Sequence, residues 1–189
     1  DGAHMNGQIP LKLSDLGCDF YAGSPHKWMF APAGCGILYI REENLDRLWP
    51  SIVTGGWDDK TIGAARFMKL GTNNRATVVG MLAGLRFLKS LGPENIYTRL
   101  HDMAKRNYAM AARRPHLQLL SSPDDRLYGA LVTIGFKGAN VENLWKIARE
   151  RKIWVYGGAE LRLSTHIHTR MADLEAFYSL VDEVMLGKK

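Results

Sequence analysis

What this sequence has little of narrows its class before any motif is considered. Cysteine is scarce, with Cys18 and Cys35 the two present in 189 residues. Neither has a CxxC partner or a His-spaced neighbour, so a disulfide framework is not expected and the usage suits a reducing cytoplasm. No apolar run approaches the roughly 18 residues that a membrane-crossing helix needs, and no membrane partner is expected. Acidic residues are in deficit, 19 against 25 Lys and Arg, a formal charge of +6. Such an excess raises nucleic acid as a partner. The basic residues are nevertheless spread along helical stretches, as in Lys105, Arg106, Arg113 and Arg114 and again in Arg149, Arg151 and Lys152. No interleaved aromatics or glycine-arginine tract accompanies them, so nucleic acid is not expected either. No initiator methionine opens the chain, and Asp1-Gly2-Ala3-His4 leads directly into patterned sequence. Truncation, cleavage or an incomplete chain is the expectation. There is no internal repeat or low-complexity segment.

What is present is an ordinary globular composition, 46% hydrophobic and 23% charged, long enough for one good-sized core or two small ones. The first third alternates short apolar runs with turns. Strands are predicted at Cys18–Ala22 and Gly34–Ile40, a short helical piece at Leu45–Trp49 before Pro50, and a long loop over 51–74. From Arg75 to Leu91 the pattern is helical, with Val78, Met81, Leu82, Leu85 and Leu88 as its apolar face and Gly92-Pro93 as its stop. A second helix carries Ile96, Leu100, Met103 and Ala104 and ends before Pro115. It is predicted to link two domains, 1–92 and 93–189. The remainder reads as a small α/β unit, with strands at Leu117–Leu120, Tyr128–Phe136, Ile153–Tyr156 and Leu161–Ile167. Asn140 is the predicted cap of a helix bearing Val141, Leu144, Trp145 and Ala148. A last helix carries Leu174, Phe177, Tyr178, Val181 and Val184.

The candidate chemistry centres on Lys27, in the turn Gly23-Ser24-Pro25-His26-Lys27-Trp28 ahead of a small-residue strand entry, Ala31 to Gly36. A lysine becomes a nucleophile toward carbonyls when burial and nearby charge leave it as a free amine. Hydroxyl and imidazole groups beside it, with glycine-rich backbone nearby, are parts suited to a phosphate. Taken alone, the turn reads sooner as a surface loop with an ordinary lysine. His166 and His168 share one face of a predicted strand, but no third ligand at suitable spacing is evident, so no metal is expected.

The order of the motifs adds more than any one of them. Asp1-Gly2-Ala3-His4, then Gly7-Gln8-Ile9-Pro10, Leu16-Gly17-Cys18-Asp19-Phe20-Tyr21, Ser24-Pro25-His26-Lys27-Trp28 and Pro32-Ala33-Gly34-Cys35-Gly36-Ile37-Leu38-Tyr39 follow one another. Gly71-Thr72 opens a helix, and Leu161-Arg162-Leu163-Ser164 with His166 stands near the end. Together these resemble the class V aminotransferase family, in its isopenicillin N epimerase-like and cysteine desulfurase-like branch, along essentially the whole chain. The resemblance implies an α/β fold, the C-terminal part of a fold type I large domain followed by a small α/β domain, and pyridoxal 5'-phosphate as cofactor. It implies that Lys27 forms a Schiff base with the cofactor, that Asp1 pairs with the pyridine nitrogen, and that His4 hydrogen-bonds the ring hydroxyl. Ser24 and His26 would hold the phosphate. Thr72 would reach the phosphate of a neighbouring subunit in a homodimer with shared sites. Arg162 would clamp the α-carboxylate of an amino-acid substrate, a task suited to its bidentate fork.

The chain also departs from the family pattern. His168-Thr169-Arg170 replaces the usual Tyr-Asn-Thr, with Thr169 still placed to cap the last helix. The loop Tyr156-Gly157-Gly158-Ala159-Glu160 has no cysteine where desulfurases of the family carry one. Epimerase-like or lyase chemistry at Cα or Cβ is therefore expected ahead of transamination or desulfuration. The N-terminal half that completes the pocket in family members is absent from the sequence, so a partner half, in cis or as a second chain, is expected. A non-catalytic fragment serving as an interaction module is the alternative.

Overall fold

A computed structural model describes residues 1–138 and 141–187; the predicted cap Asn140 lies outside them. The chain divides into two compact units, Asp1–Glu94 and Asn95–Lys189.

In the first unit, β1 (Phe20–Gly23) and β2 (Ile37–Ile40) form an antiparallel pair, with Tyr21 opposite Tyr39. Gly2 adds a parallel bridge to Gly23 on the other side of β1, through a 2.8 Å bond from its amide to the Ala22 carbonyl. β1 begins two residues later than predicted, and Cys18 lies outside it. The polar turn after it is one helical turn, α1 (Pro25–Trp28), with proline at its start, where a missing N–H costs nothing. Helical pieces at Glu42–Arg47 and Lys60–Met68 are 3₁₀ turns. They replace the predicted helix at 45–49 and part of the predicted 51–74 loop. What shapes this stretch is buried Arg66, whose guanidinium donates to the carbonyls of Leu45 and, at 3.0 Å, Leu48. Two backbone carbonyls thereby gain a charged donor.

Helix α2 (Arg75–Leu91) has the predicted bounds, and its start is capped by the Asn74 side chain, which accepts from the Ala76 amide at 3.1 Å. Its buried face matches the predicted one only at Leu88, with Met81 half-buried. Gly84 and Leu88 are buried, while Val78, Leu82 and Leu85 of the predicted stripe are exposed, as is Val79.

The second unit is built on α3 (Pro93–Ala112), whose Ile96, Leu100, Met103, Ala104, Asn107 and Ala111 recur at three- and four-residue spacing and are all buried. Its sheet has the order β3 (Leu117–Leu119), β4 (Leu131–Phe136), β6 (Glu160–Ser164), β5 (Tyr156–Gly157), antiparallel throughout. The predicted strand at 153–156 survives only as β5, and β6 stops at Ser164, short of both histidines. α4 (Val141–Glu150) and α5 (Met171–Leu186) complete the unit. The core joins Met103 of α3, Val132 and Ile134 of β4, Leu144 of α4, Leu161 and Leu163 of β6, and the α5 residues Phe177, Tyr178 and Val181.

The N-cap of α5 is Arg170, not Thr169. The Arg170 amide donates to Asp173 at 2.8 Å and its guanidinium to the same carboxylate at 2.7 Å. These hydrogen bonds, the side-chain one first, hold the Asp173 carboxyl down at about 2. The folded value lies below the unfolded one, so this contribution to stability is complete above the ordinary carboxylate range and is lost as pH falls toward about 2. Asp173→Asn is expected to flatten that part of the acid-unfolding curve, measured by circular dichroism. Deeper in, the Tyr178 hydroxyl bonds the Asn107 side-chain oxygen at 2.7 Å, and burial pushes its titration upward. Tyr178→Phe leaves that buried oxygen without this donor, and a loss of about 1–3 kcal/mol is expected in urea unfolding.

Candidate active site

The parallel bridge between Gly2 and Gly23 decides where the first-unit candidates meet. Ala3 and His4 follow Gly2, and Ser24 to Trp28 follow Gly23, so both segments leave neighbouring parallel chains at the same, carboxyl, end. That end of a parallel pair is where α/β folds bind ligands. The Tyr21 hydroxyl locks the arrangement by reaching the Gly2 carbonyl at 3.2 Å and the Asn6 side-chain oxygen at 3.0 Å.

Lys27 Nζ and His4 Nε2 are 3.0 Å apart, and the buried Trp28 indole donates to His4 Nδ1 at 3.2 Å. His4 is half-buried, whereas Lys27 is exposed. Lys27 is thus not enclosed by the described residues. His26 is also exposed, with Nδ1 3.3 Å from the Cys35 carbonyl. Ser24 stands at the N-cap of α1 and makes no capping hydrogen bond, which leaves its hydroxyl for other partners. Asp1 accepts from the Ala3 amide at 2.9 Å, which turns its carboxylate back along the segment that carries His4. The Lys27 amine and the His4 imidazole thus meet at one strand end, with Ser24, His26 and Asp1 carried on the same two short segments. This donor set fits pyridoxal phosphate: the amine suits its aldehyde, Ser24 and His26 its phosphate, and Asp1 its ring nitrogen.

Thr72 is exposed in the turn before α2, and the helix cap is Asn74. No hydrogen bond among the described residues ties Thr72 to the Lys27 cluster.

Arg162 belongs to the second unit. Strand alternation buries Leu161 and Leu163 and turns Arg162 to the opposite, open face of the sheet. There its guanidinium lies 5.0 Å over the Tyr156 ring, its partner in the β5–β6 register. Both line a hollow of about 800 Å³ with Arg151, Lys152, Trp154 and His168. His166 and His168 lie in a turn with stacked rings 5.2 Å apart, not on a strand. No group of three potential metal ligands occurs among the described residues.

Sequence reasoning missed what supports the Lys27 turn. A Cβ on Gly84 would lie 2.6 Å from the Met29 carbonyl oxygen and 2.8 Å from that of Phe30, and one on Gly80 would lie 2.4 Å from the Pro32 ring. α2 therefore approaches the backbone just beyond Lys27 through its glycines, and Phe87 packs edge-on against Phe30 at 5.2 Å. Two glycines four apart in an apolar helix were the available signal.

Comparisons with known proteins place the chain in a family. The profile of the family described as aminotransferase class-V matches residues 1–177. Isopenicillin N epimerase of Streptomyces clavuligerus is 28% identical, the match covering 96% of this chain and 51% of the relative. A probable cysteine desulfurase of Chlamydia trachomatis is 30% identical, over 98% of this chain and 51% of its own length. Among solved structures, the apo cysteine desulfurase of Thermococcus onnurineus superposes with a TM-score of 0.86 at 25% identity, over 98% of this chain and 52% of that one. The chain spans about half the length of the curated relatives it matches. It belongs to the class V aminotransferase family, whose cofactor is pyridoxal 5'-phosphate, and its α/β architecture is the C-terminal part of that fold.

The glycine contact yields a direct test. Gly84→Ala is expected to cost about 1–3 kcal/mol in denaturant unfolding, because the carbonyls it meets are backbone and cannot rotate away. Alanine would stabilise an ordinary exposed helix position, so the sign of the change decides.

Proposed function

We propose that this chain, as a member of the class V aminotransferase family, is the lysine-bearing half of a pyridoxal-phosphate enzyme acting on an amino acid. The 3.0 Å contact between Lys27 and His4 at the shared strand end carries this reading. When bound, the cofactor supplies an electron sink for a carbanion at the substrate Cα. With the cofactor bound, Lys27 would anchor it through the ε-amine and would serve as the base that takes or returns the substrate Cα proton. Asp1 keeps the ring nitrogen protonated, His4 bonds the ring hydroxyl, and Ser24 and His26 hold the phosphate. Arg162 binds the substrate α-carboxylate, supported by its place among Arg151, Lys152 and His168 around the second-unit hollow. Thr72, exposed and not needed as a cap, serves the phosphate of a second subunit in a homodimer.

The favoured chemistry is epimerisation or elimination at Cα and Cβ, with transamination or cysteine desulfuration behind it. The 156–160 loop has no cysteine, and Cys18 and Cys35 are both in the first unit. The rest of the pocket comes from a partner half, in the same polypeptide or a second chain. The exposed side chains of Val78, Val79, Leu82 and Leu85 support that need. The exposure of Lys27 favours a second reading, a non-catalytic piece that keeps the fold as an interaction surface.

Borohydride reduction after addition of pyridoxal phosphate, followed by peptide mapping, separates the two. Stable labelling concentrated on Lys27, and lost in Lys27→Ala, is the expected result. Labelling spread evenly over the surface lysines and unchanged in Lys27→Ala would sink the enzyme reading.

A further inference from the structure

The proton inventory around His4 assigns a role to a residue with no place in the reading above. Trp28 is 4% exposed, and its indole Nε1 stands 3.2 Å from His4 Nδ1. An indole N–H only donates. His4 Nδ1 must therefore be the acceptor, and a neutral imidazole that accepts at Nδ1 carries its proton on Nε2. That Nε2–H can only donate, and the atom 3.0 Å from it is Lys27 Nζ. Lys27 is exposed and can turn its amine to water, whereas the buried indole cannot, so the indole decides which nitrogen of His4 accepts.

We infer that Trp28 is a positioning residue: by donating to Nδ1 it fixes His4 as the Nε2–H tautomer, with Nε2 on the side of the Lys27 amine. Two features make Trp28 able to do this. It ends α1, the same helical turn that carries Lys27, so donor and amine share one rigid segment. Its ring meets the imidazole edge-on, at 60° with centroids 6.4 Å apart, a relation in which an indole N–H can lie near the imidazole plane. A phenylalanine in its place could fill the same buried space without a donor.

In the loaded enzyme the same Nε2–H is available to the cofactor ring oxygen. That consequence rests on the proposed function, whereas the tautomer does not. Without Trp28, His4 could carry its proton on Nδ1 and present a lone pair to Lys27 and to the ring hydroxyl.

Nitrogen-15 NMR of the histidines in the full chain without cofactor tests the inference, with His4→Gln identifying the His4 signals. At neutral pH, His4 is expected to show an unprotonated Nδ1 and a protonated Nε2. Trp28→Phe is expected to bring in the Nδ1–H form, while Lys27→Met leaves the original tautomer in place. If Trp28→Phe does not fold, replacing Trp28 by benzothienylalanine removes the N–H with the ring shape kept. A wild-type His4 protonated on Nδ1 would overturn the inference. So would an unchanged tautomer in a folded variant lacking the indole N–H, or a change in Lys27→Met. Labelling of Lys27 by pyridoxal phosphate, measured separately, reports on the proposed function, so either idea can fail without the other.

Discussion

The approach of α2 to the backbone at 29–32 is the constraint on which the candidate site depends. The chain leaves α1 at Trp28, passes through Phe30 at φ 58, and continues to Pro32. A phenylalanine at positive φ is strained and persists only where its surroundings determine it. Gly84 and Gly80 provide that determination, because the absence of two Cβ atoms lets the helix lie against the Met29 and Phe30 carbonyls and the Pro32 ring. Phe87 closes on the Phe30 ring one turn along. Any outward shift of α2 would release the segment that sets where Lys27 and Trp28 begin. The Lys27 amine is thus exposed, but its backbone is held from behind.

In the second unit the governing constraint is the two-residue period of β6. Burial of Leu161 and Leu163 leaves no choice for Arg162, which must stand on the far face beside Tyr156. The core that enforces the register is tied together by polar links. Arg114 forks onto Asp182 at 2.9 and 2.8 Å while its guanidinium lies 4.5 Å over the Tyr178 ring. Tyr178 in turn reaches Asn107 of α3. Single steps along these links join α3, α5 and the chain between α3 and β3.

Each unit also presents apolar surface. Val79 is 65% exposed on α2 and Trp154 86% exposed at the hollow beside Arg162. A stripe of valine and leucine along one helix is unusual where only water faces it. Such a stripe fits a chain spanning half the length of its relatives.

Much of this molecule was legible in its sequence. Helix α2 had readable bounds because Gly92-Pro93 ends it, and α3 was readable from the spacing of Ile96, Leu100, Met103 and Ala104. Motif order was enough to place the family, since Asp1, His4, Ser24, His26 and Lys27 stand in short segments whose spacing needs no folding to read. The buried side of α2 was legible only at Leu88. Periodicity marks which residues share a face, but it does not say whether a stripe of leucines or a pair of glycines meets the neighbouring backbone, and here the glycines do. The 3₁₀ turns at 42–47 and 60–68 were hidden for a similar reason, as they form around one buried arginine whose carbonyl partners lie about twenty residues away. Lys27 was named by sequence alone, from local order. Its 3.0 Å contact with His4, and the indole behind that imidazole, came only from the tertiary structure, because the parallel bridge from Gly2 to Gly23 brings together two segments that covalent geometry leaves independent.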